Sequence, residues 1–90
     1  MPIGMMQKKK PTEEEITSTE SWGTWSKEPS EFPWSYSEKE TCLILEGEAT
    51  VTAPDGQTIS FEAGDLVTFE AGLECTWKIG KTIRKRYKFG

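Results

Sequence analysis

Apolar and polar residues alternate through most of the chain after residue 40, as they do in β-strands that bury one face. Residues 42–45 are almost continuously apolar, and residues 82–89 place every second side chain on the same face. One face of that last segment holds Ile83, Lys85, Tyr87 and Phe89, and the other holds Arg84, Arg86 and Lys88. The pattern predicts strands at residues 22–26, 32–36, 42–45, 47–53, 57–62, 66–69, 74–79 and 82–89.

Turns containing glycine separate these strands, at Pro54-Asp55-Gly56, Ala63-Gly64-Asp65 and Glu70-Ala71-Gly72. Short strands at this spacing predict an all-β sandwich or small barrel of roughly eight to eleven strands. Thr12 followed three residues later by Glu15 is a helix-capping pattern, so we expect at most one short helix, at residues 12–16.

The chain of 90 residues is the size of one small domain. We expect residues 1–19 to be a mobile N-terminal arm, ending in a short helix, and residues 20–90 to form the barrel domain. Only 34% of the residues are hydrophobic, which is little for a single core, so aromatic side chains must supply much of the burial. A domain of this size gains from association, and we expect a homodimer.

Charge and composition exclude several classes of partner. A formal net charge of −4 argues against binding to nucleic acid or to an anionic membrane. No apolar run approaches the roughly 20 residues of a membrane-spanning helix. Two cysteines without a secretory signal indicate reduced thiols in the cytoplasm, or in a plastid if a transit peptide has been removed. The sequence contains no histidine, the commonest metal ligand and neutral-pH base.

Glu40 is the most informative single residue, because it opens the apolar strand and a carboxylate there must face water, a cation, a metal or a proton donor. Strand alternation turns Trp34 and Tyr36 toward the side of Glu40. These residues predict an aromatic pocket with a carboxylate at its base, suited to a small organic cation or polar ligand. The alternative is that the aromatic side chains simply fill the mouth of the barrel.

The two cysteines allow several interpretations. Glu40, Cys42 and Cys75 could hold zinc or iron, although most free cysteines are simply small buried apolar residues. A Cys42–Cys75 disulfide requires close Cα atoms, and a catalytic Cys75 requires a neighbouring base or cation. The basic cluster at residues 84–86 fits an anion site or, more simply, a solvated or cross-strand-paired edge strand whose charges discourage aggregation.

The spacing of these residues resembles the two motifs of the cupin family, small β-barrels of the jelly-roll type, over roughly residues 20–88. The first cupin motif contains two histidines, a glutamate and a glycine, and the corresponding positions here are Trp34, Tyr36, Glu40 and Gly47. The second motif contains glycine, proline, glycine, histidine and asparagine, and the corresponding positions here are Gly64, Glu70, Gly72, Cys75 and Ile79.

Segments 22–25, 40–42, 64–69 and 72–77 are similar to a subgroup of small stand-alone cupins, many without an assigned activity. That subgroup is related to plant ureidoglycine aminohydrolase, a manganese enzyme with two cupin domains, and to cupins of bacterial ethanolamine utilisation. The resemblance implies a single jelly-roll β-barrel. Because this chain lacks the histidines, we expect no cofactor and no stoichiometric iron or manganese, and at most weak zinc through the thiols.

We therefore expect a small cupin that binds an unidentified small molecule in a barrel pocket, without the usual histidine metal site. The pocket would be built by Trp34, Tyr36, Glu40, Cys42, Cys75 and Trp77. The alternative is a metal-dependent hydrolase or dioxygenase of the cupin kind, such as a ureidoglycine aminohydrolase-like enzyme. Replacing Glu40 by Gln should distinguish the two, since only the second predicts a change in metal content.

Overall fold

The structure, a computed structural model, describes residues 5–90 and consists of β-strands with one short helix. The predicted all-β class is therefore confirmed. The first four residues of the predicted N-terminal arm lie outside the described residues. In chain order the elements are β1 (Met6–Lys9), α1 (Glu13–Ser18), a 3-10 turn (Thr19–Ser21), β2 (Gly23–Lys27), β3 (Ser30–Ser35), β4 (Glu40–Thr52), β5 (Thr58–Glu62), β6 (Leu66–Phe69) and β7 (Glu74–Phe89).

All strand pairings in this part of the chain are antiparallel. The main strand order is β1-β6-β4-β7-β2, with β5 added beside β4 and β3 added beside β7. The two longest strands, β4 and β7, therefore lie next to each other at the centre of the sheet. Within residues 5–90, no helix is long and apolar enough to cross a lipid bilayer.

Residues 5–90 contain seven strands, fewer than the eight to eleven predicted, because two predicted breaks do not interrupt the strands. Segments 42–45 and 47–53 fall in β4, apart from residue 53, and segments 74–79 and 82–89 are both parts of β7. Gly47, which begins the second of the two predicted segments, has a φ of +88° and lies inside β4. The β4–β7 register shifts between Ile44 and Ala49, and such bulges bend a strand without ending it.

These bends allow each long strand to serve two neighbours. The first part of β4 pairs with β6 and its second part pairs with β5. In the same way, the first part of β7 pairs with β3 and its second part pairs with β2. Trp77 and Lys85 are eight positions apart on β7, roughly 26 Å if the strand were straight. The Lys85 Nζ nevertheless lies 4.7 Å from the Trp77 ring centroid, so the two parts of β7 face each other across the interior.

The N-terminal segment contains a strand that the sequence analysis did not predict. Met6–Lys9 form β1, which pairs with β6. The mobility expected of residues 1–19 stays a prediction. The Lys10 ammonium forms a 2.8 Å ion pair with Asp65 in the turn before β6. Burial opposes ionisation of Asp65, but hydrogen bonds from Lys10 and from the backbone of Glu62 outweigh it and lower the pKa of Asp65. These contacts hold the N-terminal segment against the edge of the sheet.

The predicted helix is present and begins as expected. The Thr12 side chain accepts a hydrogen bond from the Glu15 backbone, and the Glu15 carboxylate accepts one from the Thr12 backbone. This reciprocal pair satisfies two backbone donors that the first helical turn leaves free. The helix remains short because Thr17, Ser18 and Thr19 have low helical propensity, and the Thr19 hydroxyl bonds back to the chain at Ile16.

Four aromatic side chains pack against one another within the core, which also contains aliphatic residues and both cysteines. Trp77 and Phe69 are almost fully buried and lie 5.5 Å apart between ring centroids. Tyr36 stacks on Phe69 at 5.1 Å, and Phe61 packs edge-on against both Phe69 and Trp77. Contacts of this kind add about 0.5–1.5 kcal/mol per pair beyond the burial of apolar area.

Gly47 provides a test of this architecture. A Cβ at this position would lie 2.2 Å from the backbone oxygen of Thr82 on the neighbouring strand, and the positive φ disfavours any other residue. We expect Gly47→Ala to lower the free energy of unfolding by at least about 3 kcal/mol, from backbone strain together with overpacking. Urea denaturation measures this loss.

Gly56→Ala is the matched control, since Gly56 has a φ of +92° but no atom of residues 5–90 within 4 Å of an added Cβ. Its cost should be limited to the strain of a left-handed residue, about 1–2 kcal/mol. Equal losses in the two variants would show that the close approach of β4 to β7 at Gly47 is unimportant.

Candidate functional site

A cavity of about 260 Å³ lies in the interior between β2, β3, β4 and β7. Its walls are mainly aromatic, and its charged groups are Glu40 from β4 and Lys85 from β7. The aromatic residues around it include Trp25 from β2, Phe32 and Trp34 from β3, Tyr36 directly after β3, and Trp77 from β7. Four of the six predicted pocket residues, Trp34, Tyr36, Glu40 and Trp77, therefore lie around one cavity.

Glu40 and Lys85 form a buried ion pair in this cavity. The Lys85 Nζ lies 3.0 Å from the Glu40 Oε2, and the two side chains are only 7% and 4% exposed. Removing two charges from water is costly unless each compensates the other. The sequence predicted that Glu40 faces water, a cation, a metal or a proton donor. In the structure it faces a cation, the Lys85 ammonium of the same chain.

Lys85 is the main site residue that the sequence analysis missed. The sequence analysis grouped it with Arg84 and Arg86 in a solvated or cross-strand-paired edge strand. The edge position is wrong because β7 pairs with β4 on one side and with β2 and β3 on the other. Arg84 is exposed and bonded to Glu46, whereas Lys85 is buried. The available signal was the strand alternation, which placed Lys85 on the same face as the buried Ile83.

Two tryptophan rings complete the surroundings of the Lys85 ammonium. Its Nζ lies 4.9 Å from the ring centroid of Trp25 and 4.7 Å from that of Trp77. Trp25 is the direct cross-strand partner of Lys85 on β2, so the sheet register fixes this contact. A lysine ammonium has three N–H donors, and here one carboxylate and two indole faces engage it.

The second oxygen of Glu40 has no such partner. Glu40 Oε1 is buried, and no group of residues 5–90 meets the geometry of a hydrogen bond to it, although the Tyr36 hydroxyl lies close enough to the Glu40 carboxylate to interact with it. Buried polar atoms are nearly always hydrogen-bonded, and an unpaired one costs about 1–3 kcal/mol. The cavity therefore contains an anionic oxygen to which no group of residues 5–90 presents a well-placed donor.

Tyr36 is the other polar group beside Glu40. Its hydroxyl oxygen accepts a hydrogen bond from the Trp77 indole N–H at 3.2 Å. Burial, and next the nearby negative charge of Glu40, raise the pKa of Tyr36 above its ordinary value. The phenol is therefore neutral and retains a proton that it can donate, so Tyr36 and Glu40 offer one donor and one acceptor side by side.

The two cysteines are free thiols in different surroundings. Cys42 is fully buried in the core, and burial raises its pKa to about 12. Cys75 lies with Trp34 beside an open depression of about 980 Å³ on the protein surface, and its thiol donates a 3.5 Å hydrogen bond to the Trp34 carbonyl oxygen. Burial, and next the charge of Glu40, raise the pKa of Cys75 to about 11. Both thiols are thus protonated at neutral pH and poorly nucleophilic.

These residues do not fit the metal ion that the cupin resemblance implies. Trp34 offers no lone pair, Tyr36 is a neutral phenol, and Glu40 already binds an ammonium. The thiols of Cys42 and Cys75 would have to lose their protons before they could act as ligands. No group of three or more His, Cys, Asp or Glu side chains within residues 5–90 is arranged to hold a metal ion. The expectation of no stoichiometric iron or manganese, and at most weak zinc, rests on the chemistry of these side chains as ligands and stays a prediction.

Comparisons with other proteins agree with this fold. A family model described as an EutQ-like cupin domain matches residues 14–87. A DUF861 family protein from Thermotoga maritima is similar over 94% of this chain and 99% of its own, with 47% identity and a TM-score of 0.92. The cupin resemblance and the jelly-roll fold predicted from the sequence are confirmed. No curated protein matches the chain.

Two more distant structures share the fold. A putative ethanolamine utilization protein Q from Salmonella typhimurium is 24% identical, with a TM-score of 0.69, over 93% of this chain and 68% of its own. The EutQ protein of Clostridium difficile is 19% identical, with a TM-score of 0.69, over 74% of this chain and 52% of its own. The predicted homodimer, compartment and likeness to ureidoglycine aminohydrolase stay predictions.

The buried ion pair predicts unequal effects of two similar substitutions on β4. Glu40→Gln leaves Lys85 buried without its carboxylate and should lower the free energy of unfolding by about 3–5 kcal/mol. Glu46→Gln removes the exposed pair with Arg84, 3.2 Å apart, and should cost at most about 1 kcal/mol. Urea denaturation measures both losses. Equal losses would contradict the role given to Glu40, as would a metal bound by the parent protein and lost in Glu40→Gln.

The buried thiols predict a loss of stability at high pH. In the unfolded chain each thiol has a pKa near 9. In the folded protein the pKa of Cys75 is about 11 and that of Cys42 is about 12. The contribution of the two protonated thiols to the free energy of unfolding is therefore complete below pH 9. It is lost as the pH rises toward the folded-state pKa values. Urea midpoints at pH 8 and pH 10.5 should differ less in Cys42→Ala than in the parent protein. An identical pH dependence would show that Cys42 is not held as a thiol.

Proposed function

The chain belongs to the EutQ-like cupin domain family, and we propose that it binds a small neutral molecule that donates a hydrogen bond to Glu40 in the aromatic cavity. The observation that carries this proposal is the buried Glu40 Oε1, which has no donor among the described residues. A ligand N–H or O–H would satisfy this oxygen and remove the cost of leaving it unpaired.

The charge of the cavity favours a neutral ligand. Glu40 and Lys85 neutralise each other at 3.0 Å, so the interior as it stands carries no net charge. A charged ligand would enter this buried space without a counter-ion and would lose its hydration. The organic cation considered from the sequence is disfavoured for the same reason, because Lys85 already occupies the position of the cation.

The polar groups and walls indicate the chemistry of the ligand. Glu40 Oε1 requires a donor, while the neutral Tyr36 hydroxyl can donate to an acceptor. A carboxamide, urea or amino-heterocycle presents both kinds of group on one plane. Such planar groups also pack well against aromatic rings, including the parallel pair of Phe32 and Trp77.

The cavity volume limits the size of the ligand. Pockets for drug-sized ligands usually enclose about 300–1,000 Å³, and this cavity encloses about 260 Å³. Trp34, with 51% of its surface exposed, lines the cavity and also the outer depression. We therefore place Trp34 at the entrance, Glu40 and Tyr36 at the polar end, and the two cysteines outside direct contact with the ligand.

Three probes of similar shape test the proposal: benzamide, benzoate and benzylammonium. We expect benzamide to bind at least about tenfold more tightly than either charged probe, a difference of about 1.4 kcal/mol. Titration by NMR, with Glu40 and Tyr36 signals as reporters, measures the dissociation constants and locates the probe.

Glu40→Gln should weaken benzamide binding because the acceptor changes from a carboxylate to an amide, and Glu46→Gln should leave it unchanged. Equal affinity for all three probes would overturn the proposal. So would an equal effect of the two substitutions.

A further inference from the structure

We infer that Trp25, Trp77 and Glu40 form a cation-binding cage and that its resident cation is the chain's own Lys85 ammonium. The inference deepens the proposed function, on whose cavity it rests, because it identifies what decides the charge of an acceptable ligand. Its three walls come from different strands, Trp25 from β2, Glu40 from β4 and Trp77 from β7.

The geometry around Lys85 is that of ammonium recognition. Two indole faces lie 4.9 and 4.7 Å from Nζ, within the roughly 6 Å over which a ring attracts a cation. The carboxylate lies 3.0 Å away and supplies the counter-charge. None of these contacts depends on the lysine being part of the chain, so the same three groups can hold any primary alkylammonium of suitable size.

The covalent attachment of Lys85 should make the native cavity reject free cations. A tethered group competes at a high effective concentration, because it loses far less freedom on binding than a dissolved ion does. Metal ions and free amines therefore meet a carboxylate that is already neutralised. Lys85 closes the cage to cations and leaves only Glu40 Oε1 available to a neutral donor.

Removing the lysine side chain beyond Cβ should open the cage to a free ligand. Lys85→Ala deletes Cγ, Cδ, Cε and Nζ, four heavy atoms that propylammonium replaces one for one. It also leaves the Glu40 carboxylate buried without a counter-ion, so a bound cation would offset the cost of the unpaired charge. The variant should therefore bind propylammonium, while the parent protein should not.

The experiment measures thermal and urea unfolding of Lys85→Ala in propylammonium chloride, with 1-propanol and sodium chloride as controls. Propanol has the same number of heavy atoms but no charge, so it separates cation binding from filling of the space. At ten times its dissociation constant, propylammonium should raise the folding equilibrium constant about elevenfold. Propanol should have a markedly smaller effect.

Two further variants make the result specific. Lys88→Ala removes an exposed lysine three residues along β7 and should show no response to propylammonium. Glu40→Gln combined with Lys85→Ala removes the counter-charge and should lose the response. An equal response to propylammonium and propanol would overturn the inference, and so would a response that survives Glu40→Gln.

Measurements on the parent protein cover the case in which Lys85→Ala does not fold. Ring currents from two indole faces should move the NMR resonances of the Lys85 Hε protons strongly upfield of those of Lys88. Lys85 Hε chemical shifts equal to those of Lys88 would overturn the inferred cage. If Lys85→Ala is unfolded in buffer, propylammonium should restore its folded spectrum, and failure to do so would count against the inference. Neither readout uses benzamide, so a failure of neutral-ligand binding would be recognised separately.

Discussion

The buried attraction between Glu40 and Lys85 is the constraint on which the interior of this protein depends. It joins the start of β4 to the second half of β7, the two strands at the centre of the sheet. Neither charge is tolerable alone at this depth, so the strands must keep a bend and register that bring both side chains together. The rings of Trp25 and Trp77 shield the pair from water and stabilise the ammonium directly.

The site also shows how a barrel associated with metal chemistry can hold a different cation. The positions that carry histidines in the cupin motif are occupied here by Trp34 and Tyr36, while the glutamate position is retained as Glu40. A carboxylate at this position needs a positive partner whatever its source. Lys85 on the neighbouring strand β7 supplies that charge as a hydrogen-bond donor. The tryptophan faces around it attract an ammonium but offer a transition metal no lone pair.

Much of the architecture followed from local pattern. Alternation and glycine turns located most strands, and an acid at the entrance to an apolar strand identified Glu40 before any partner was known. The sequence analysis missed Lys85 as a site residue because it treated residues 84–86 as one basic cluster. Strand alternation nevertheless placed Lys85 on the same face as Ile83. Trp25 was not assigned to the pocket because its contact with Lys85 depends on pairing between segments about 60 positions apart. Met6–Lys9 had the composition of a solvated terminus, and only the edge of β6 makes them a strand.

The position of β7 at the centre of the sheet has a consequence for the order of folding. β7 is the final strand of the described chain, yet β2, β3 and β4 all pair with it. Until β7 arrives, β2 and β3 have no strand partner, and one side of β4 remains an open template of backbone donors and acceptors. Closing such distant pairs carries a large loss of chain entropy before any contact compensates it, so folding should fall in the slow, millisecond-to-second regime of sheet proteins. The most vulnerable species on that route is the chain with β7 undocked, whose exposed β4 edge is where association between copies would begin.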